Sequence, residues 1–513
     1  MATDILIGQA YFLRFDPGLW RAARPYAPLG ALYAAAWART GGYEVALFDA
    51  MLADSVEDWG AAIDRHRPSV AVIYEDSFNY LSKMCLLRMR DAALAMIAAA
   101  RERGVTVVVA GSDATDHPGM YLRHGATAVI AGEGEVTLVH LLDAFRRGAS
   151  DLTDVEGIAF RRNGSVVRTA PRAIVRDLDA APRPAWDLVD VERYRAIWLG
   201  RHGSFSMNIS TTRGCPFHCN WCAKPIYGQR YTARSPDDVA DEIAWLRATY
   251  RPDHLWVTDD IFGLKPGWVE AFAGALAERN AVTPFTCLMR ADGVSASIVS
   301  LLAAAGCRMV WIGAESGSQR VLDSMEKGTR VGQIDGAARR LHDAGIDVGF
   351  FLQFGYPGET LADIEQTLAM VSRCGPDDIG VSVSYPLPGT PFHDRVQSQL
   401  GAKQNWVDSS DLAMMYRGTY SPEFYRALHR LVHARFRALR GWSTFARLVR
   451  APLRATGSDF RTIASGAVQA GVRPLLSRRV RRLAQVQTSA APTPLIVPLL
   501  STRAAALPSE QGH

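Results

Sequence analysis

The sequence predicts an α/β chain: a doubly wound, Rossmann-like parallel sheet, then a partial (β/α)6 barrel, then a helical C-terminal region. Three observations carry this. Short, nearly continuous apolar runs alternate with helical patterns in residues 1–150 and again in 205–400. Such runs mark strands buried on both faces of a parallel sheet and covered by crossover helices. The second series holds six units, too few for a closed eight-fold barrel. After residue 400, apolar residues recur at helical spacing among arginines.

In the first region, strands are expected at 4–9, 44–50, 69–75, 106–113 and 128–134, with helices at 28–40, 56–65, 87–103, 118–124 and 135–146. Residues 151–204 read as an ordered bridge. There Ile158-Ala159-Phe160 and Val166-Val167 flank Asn163-Gly164, a type I′ hairpin signal, and Pro171, Pro182 and Pro184 break regular structure. In 205–400, strands are expected near 206–211, 254–259, 285–290, 308–314, 347–353 and 379–385, alternating with helices near 236–249, 266–279, 295–305, 331–344 and 360–373. A helical pattern covers 405–416 and 422–450, where Phe424, Leu428, Leu431, Phe436 and Leu439 alternate with arginines. Residues 401–486 form the basic helical region, and 487–513, rich in Ala, Pro, Ser and Thr, read as a disordered tail.

With 513 residues, 48% hydrophobic and 21% charged, the chain is large enough for several buried cores, and seven cysteines do not make a small disulfide scaffold. No run reaches the ~18 apolar residues of a spanning helix. The start, Met-Ala-Thr-Asp-Ile-Leu-Ile-Gly, reads directly as a first strand, so the expected address is the cytoplasm. The net charge of +5 is unevenly spread: residues 401–513 carry 16 Arg and one Lys against five acids, or +12, leaving −7 for the rest. A basic appendage of this kind suits a solvated helical face, a cap on the barrel over 405–440, or contact with an anionic membrane over 440–482. No nucleic-acid partner is expected.

In a doubly wound sheet, ligands bind beyond the C-terminal strand ends. The loops singled out there are Gly111-Ser112-Asp113-Ala114-Thr115 and Gly132-Glu133-Gly134-Glu135. Neither is a phosphate cradle, and no G-x-G-x-x-G follows the first strand, which disfavours nucleoside triphosphates and NAD.

The decisive run is Thr211-Thr212-Arg213-Gly214-Cys215-Pro216-Phe217-His218-Cys219-Asn220-Trp221-Cys222, with cysteines spaced C-x3-C-x2-C. Three thiolates this close argue for a metal. They can hold three irons of a [4Fe–4S] cluster and leave the fourth open. A structural zinc would need a fourth closed ligand, His218 or a distant Cys. Cys85, Cys287, Cys307 and Cys374 are isolated and read as core residues.

This spacing, with Trp221 before the last cysteine, resembles the radical S-adenosylmethionine (SAM) superfamily. The resemblance continues through Val257-Thr258-Asp259-Asp260, Gly313-Ala314-Glu315-Ser316-Gly317, Gln353-Phe354-Gly355-Tyr356-Pro357-Gly358-Glu359 and Tyr385-Pro386-Leu387-Pro388-Gly389. The first region resembles the cobalamin-binding domain of many such enzymes. The match is carried by Pro28-Leu29-Gly30, Gly111-Ser112-Asp113 and Gly132-Glu133-Gly134-Glu135. No D-x-H-x-x-G is present, so the resemblance implies cobalt without a histidine ligand from that motif.

The resemblance implies three cofactors: a [4Fe–4S] cluster on Cys215, Cys219 and Cys222, SAM, and cobalamin. It places SAM near Trp221, Asp259, Asp260, Arg290, Glu315, Ser316 and Gln353. Cobalamin falls near Pro28, Leu29, Gly111, Ser112, Asp113, Glu133, Gly134 and Glu135. Asp259, Asp260 and Arg290 have charges suited to the zwitterionic methionine end, and Glu315 can accept two ribose hydroxyl bonds. An ion pair with Asp292 or Asp259 is the other reading of Arg290.

The implied activity is reductive cleavage of SAM to a 5′-deoxyadenosyl radical and methylation of an unactivated carbon. The substrate class is a secondary metabolite, lipid or tetrapyrrole, and the electron donor an external protein of flavodoxin or ferredoxin type. An oxidative cyclase or rearrangement enzyme, and a non-catalytic cobalamin or redox sensor, are the alternatives.

Overall fold

The computed structural model describes residues 3–84, 86–222, 226–450 and 456–485. Cys85 and the expected disordered tail lie outside them. The first sheet has seven strands: β1 (Ile5–Gly8), β2 (Val45–Phe48), β3 (Val70–Tyr74), β4 (Thr106–Ala110), β5 (Ala128–Ile130), β6 (Ile158–Arg162) and β7 (Ser165–Arg168). Their order is β2-β1-β3-β4-β5-β6-β7. The first five run parallel, and β1 and β3 are buried along their whole length. That is why they read as unbroken apolar runs rather than as alternation.

The expected Asn-Gly hairpin forms, with Asn163 at φ 50°. It is not a free bridge, because β6 pairs antiparallel with β5 and extends the first sheet. The fourth strand is shorter than expected. It stops at Ala110, Gly111 turns at φ 136°, and Ser112–Asp116 is a short helix. The strand order also moves the switch point. The chain goes from β1 out to β2 and returns on the other side as β3, so the crevice opens between the ends of β1 and β3. The loops after β4 and β5, singled out from sequence, lie to one side of it.

The second sheet contains β8 (Ser206–Ile209), then β11 (His254–Val257), β12 (Phe285–Met289), β13 (Cys307–Glu315), β14 (Asp347–Phe354) and β15 (Asp378–Val383), all parallel and laid down in chain order. Between the first two, β9 (Thr212–Arg213) and β10 (Thr232–Ala233) pair antiparallel. The six strands make the expected open half-barrel. One hydrophobic core runs from the first sheet into the second, joining Leu6 and Trp59 to Phe205, Leu255 and Phe350. Polar contacts cross the same boundary: Tyr26 Oη lies 3.0 Å from Ser206 Oγ, and Asn208 Nδ2 donates to Ala27 O at 2.9 Å.

The C-terminal region differs from expectation between 405 and 416, where no helix forms. Asp411 accepts from the backbone N–H of Val407 and Ala413, and Trp406 Nε1 donates to Ala413 O. These local side-chain bonds compete with helical ones. The two helices that follow are Pro422–Arg450 and Gly457–Gln485. No helix among the described residues is long and apolar enough to cross a membrane.

Close packing of the barrel on its helices rests on Gly317, where an added Cβ would lie 2.4 Å from Gln366 O. Gly317→Ala is expected to cost roughly 1–3 kcal/mol in urea denaturation followed by near-ultraviolet circular dichroism. Gly274→Ala, on an open helical face, should leave the protein as stable or slightly more so.

Candidate active site between the two sheets

The three cysteines of the motif lie on the loop that β9 and β10 pinch together. Each is half-buried and none is disulfide-bonded. Gly214 opens the loop at φ 78°, with Arg230 O only 2.3 Å from where a Cβ would stand. Asn220 fixes its far end. The backbone N–H of Asn220 donates to Met325 O (3.1 Å) and its Nδ2 to Ser324 O (2.8 Å), while it accepts from Tyr356 Oη (3.0 Å) and Phe392 N (2.9 Å). The thiols do not converge on a point: among the described residues, no three His, Cys, Asp or Glu side chains could share one metal ion. The donor set, three thiols of one short loop, fits an iron–sulfur cluster. The indole N–H of Trp221, between Asn220 and Cys222, is buried with no hydrogen-bond partner, an unspent donor that suits a site built to receive a polar ligand.

Asp259 differs from expectation. Its carboxylate is buried and accepts from the backbone N–H of Thr211 (2.7 Å) and Thr212 (3.0 Å) and from the Thr211 hydroxyl. Burial raises its pKa to about 6, against those donors. It therefore ties the root of the cysteine loop to the end of β11 and does not face a methionine end. Asp260 does point toward the cleft, where Lys83 from the first unit meets it at 2.5 Å.

Arg290, at the end of β12, takes the expected alternative and pairs with Asp292 at 3.0 and 2.8 Å. It also reaches the cluster loop, with Nη1 3.9 Å from Cys219 Sγ and its guanidinium 3.7 Å from the centroid of the Phe217 ring.

Glu315 ends β13 at φ 57°, where the register with β14 shifts. Such a backbone is strained for a non-glycine residue. Its carboxylate is buried and meets Lys327 Nζ at 3.0 Å, and that ammonium lies 5.9 Å from the Trp221 ring. Burial works against the Lys327 charge, but Glu315 outweighs it and the pKa rises. Ser316 is fully buried and bonds Thr367 Oγ1 at 3.1 Å, so it packs a helix against the strand end. Gln353 Nε2 donates to Ser384 Oγ at 2.9 Å.

Of the residues expected at cobalamin, Pro28 and Leu29 are buried at a helix start, where the backbone N–H of Gly30 donates to Asp76 at 3.1 Å. Gly111 leaves no room for a side chain, since a Cβ would stand 2.6 Å from that of Glu75. Ser112 is buried beside it. Asp113 faces inward, bound by Arg90 at 2.5 Å and by the Tyr121 hydroxyl. Gly134 packs on Tyr74 Oη.

Glu133 and Glu135 do not point to the crevice. Both bind the Arg213 guanidinium, Glu135 at 2.9 Å. That cation is buried among the rings of Tyr33 (5.2 Å), Phe78 (5.8 Å) and Tyr227 (5.8 Å). Burial lowers its pKa, but Glu135, Tyr227 and Glu133 raise it more, to well above the ordinary value. At the switch point, Glu75 Oε2 and the Tyr11 hydroxyl are buried without partners, and burial pushes the Glu75 pKa up to about 8. Unspent polar atoms at a crevice mouth fit a large polar ligand.

The roles of Lys83, Arg213, Asn220 and Glu75 carried no signal in the sequence, because each is defined by a partner far along the chain, and Lys327 meets Glu315 only across the turn that follows β13.

A family model described as the Radical SAM superfamily matches residues 209–371. A second, described as the B12 binding domain, matches residues 21–142. The chain carries a B12-binding domain followed by a radical SAM domain. Its cofactors are accordingly a [4Fe–4S] cluster, SAM and cobalamin. The chain is 27% identical over 386 residues to an uncharacterized methyltransferase of Pyrococcus horikoshii, covering 74% of this chain and 80% of that one. It is 30% identical over 220 residues to an anaerobic magnesium-protoporphyrin IX monomethyl ester cyclase of Synechocystis, covering 42% of this chain and 43% of that one. Among solved structures, the cobalamin-dependent SAM radical enzyme OxsB, with aqua-cobalamin and SAM bound, matches at a TM-score of 0.70 and 16% identity over 93% of this chain and 72% of its own. At that identity the likeness concerns the fold.

Two predictions follow from the buried acids of this radical SAM protein. Arg213→Met strands Glu133 and Glu135 and should destabilise the protein by about 3–5 kcal/mol in urea. Adding Glu133→Gln and Glu135→Gln should recover most of that loss.

Glu359, in the loop after β14, has one buried oxygen without a partner, and burial raises its pKa from 4.5 to about 8. The folded protein thus holds a proton there that the unfolded chain releases between those values, and this site's contribution to stability falls as pH rises through the window. The melting temperature of Glu359→Gln, relative to the parent, is expected to climb from pH 5 to pH 9. A flat difference would contradict it.

Proposed function

We propose that the chain is a cobalamin-dependent radical SAM methyltransferase acting on an unactivated carbon of a small molecule: a secondary metabolite, a lipid or a tetrapyrrole. The observation that carries this is the placement of the Cys215-Cys219-Cys222 loop at the barrel's C-terminal strand ends, where Lys83 and Asp260 bring the first unit against it. When bound, the cluster and SAM supply a carbon-centred radical, and cobalamin supplies a methyl group.

The chain's own residues do the holding. Cys215, Cys219 and Cys222 are the cluster ligands in this reading, and the Arg290 guanidinium lies beside Cys219. Asp260 and Lys83 offer opposite charges to the amine and carboxylate of the methionine end. Glu315, with Lys327 fixing one oxygen, keeps its other oxygen for ribose hydroxyls, and Trp221 Nε1 is a free donor next to them. Gln353 lines the adenine side. Gly132, where a Cβ would meet nothing closer than 3.9 Å, leaves the backbone open to a ligand on the loop after β5, and the unspent atoms of Glu75 and Tyr11 stand at the β1/β3 crevice beside it. Tyr80 is exposed and within electrostatic range of Cys222 and Glu315. An external flavodoxin- or ferredoxin-type protein delivers the electrons.

A second reading, an oxidative cyclase, is favoured by the cyclase named among the relatives. Anaerobic incubation with cobalamin, SAM and reductant separates the two. S-adenosylhomocysteine together with 5′-deoxyadenosine supports methyl transfer, and deoxyadenosine alone supports the cyclase. Cys219→Ala is expected to lower deoxyadenosine formation by at least about a thousandfold while leaving the cobalamin absorbance of the purified protein unchanged. Retained cleavage in that variant would sink the cluster assignment.

A further inference from the structure

Helix Pro422–Arg450 lies on the barrel through its first half, where Phe424, Tyr425, Leu428, Leu431 and Val432 are buried. Its last tie to the barrel among the described residues is Arg440, which meets Asp377 at 2.6 Å. Beyond that point only Gly441, Thr444 and Leu448 are buried. Their spacing of three and four makes a single narrow stripe, and the stripe faces helix Gly457–Gln485. There the backbones touch: a Cβ on Gly441 would stand 2.7 Å from Gly466 Cα.

Apart from half-buried Ala446, the rest of this outer half faces solvent. Trp442 (70% exposed), Phe445 and Val449 again fall at spacings of three and four, on one face. Arg447 pairs with Asp459, the residue before exposed Phe460. Val468, Val472 and Leu475 continue along the second helix. Seven of the thirteen large apolar side chains exposed among the described residues thus sit on this one hairpin. Single exposed apolar residues are ordinary, but a concentration of them marks an interaction surface.

The charge says what kind of partner covers it. From 437 to 482 the sequence has eleven arginines and one acid, Asp459. A second copy would set eleven arginines against eleven, which is repulsive. A phosphate backbone would satisfy the arginines and leave Trp442 and Phe445 in water. A bilayer with anionic headgroups takes both, with aromatic and aliphatic groups at the acyl boundary and guanidinium groups on phosphates. Neither helix is apolar enough to span, so the contact is peripheral.

We propose that the outer half of the C-terminal hairpin, residues 441–450 and 457–475, docks this protein on an anionic lipid surface. This is independent of the radical chemistry. The test is co-sedimentation of the full chain with phosphatidylglycerol-containing vesicles and with pure phosphatidylcholine vesicles, at low and high salt. The full chain should pellet with the anionic vesicles at low salt and lose binding as salt rises.

The triple variant Trp442→Ser/Phe445→Ser/Phe460→Ser should partition at least about tenfold less while keeping its helical circular dichroism. Brominated lipid should quench a fluorescence component that Trp442→Phe lacks, which places that residue at the bilayer. Equal partition of parent and triple variant would overturn the proposal. So would a dimer in light scattering that the triple variant abolishes, since a second copy would then cover the face. Binding by a chain ending at residue 485 but not by the full chain would assign the face to residues 486–513 instead.

Discussion

Arg213 is buried against Glu133 and Glu135 from one α/β unit and ringed by Tyr33, Phe78 and Tyr227, and the rest of the molecule takes its alignment from that contact. A buried ion pair of this kind adds little net stability, because desolvating three charges offsets their attraction. What it does is set position. A guanidinium offers a planar, directional fork, so the two carboxylates must approach it in one geometry. Glu133 and Glu135 follow β5, and Arg213 stands two residues before Cys215. The strand ends of the first sheet and the cysteine loop of the second are thereby held in a common frame. Lys83 and Asp260 make a second point of attachment across the same cleft, and two points fix orientation where one would leave a pivot.

Within that frame the acids divide by environment. Asp259 and Asp113 are surrounded by donors from their own unit and serve as internal braces. Glu133 and Glu135 brace between units. Glu75 and Glu359 each keep a buried oxygen without a partner. Sequence patterns cannot make this division, because an acid at a strand end reads the same whichever way it turns. Asp259 and Asp260 are adjacent and face opposite demands, one closed in by Thr211 and Thr212, the other open to Lys83.

The fold was legible to a greater depth than the site. Strands buried on both faces leave continuous apolar runs, and helices between them leave a 3.6-residue period, so each barrel strand lies within two residues or so of its expected place. The same local reasoning missed where side-chain bonds override pattern. At Ser112–Asp116 a glycine with positive φ ends the strand early, and at 405–416 Asp411 captures the backbone N–H groups that a helix would need. The hairpin at Asn163-Gly164 was readable as a turn but not as an addition to the first sheet, since pairing with β5 depends on a strand nearly thirty residues earlier. The cysteine spacing is local chemistry and was plain. Lys83 is 177 residues from Asp260, and no local rule reaches that far.

The cysteine loop itself has almost no regular structure, which raises the question of what positions three thiols before any metal binds. Two anchors answer it. At the root, Asp259 collects two backbone N–H groups and a hydroxyl, so residues 211 and 212 cannot move independently of β11. At the far end, Asn220 makes bonds to the 324–326 turn, to Tyr356 and to Phe392. The turn that receives Asn220 also carries Lys327, which holds Glu315 in its left-handed backbone at the end of β13. Cluster loop and strand-end acid are therefore fixed by one short segment, and a displacement of either is resisted by the other. Ligands held in this way lose little freedom when a cofactor arrives, which is what allows a loop with so few bonds of its own to serve as a defined binding site.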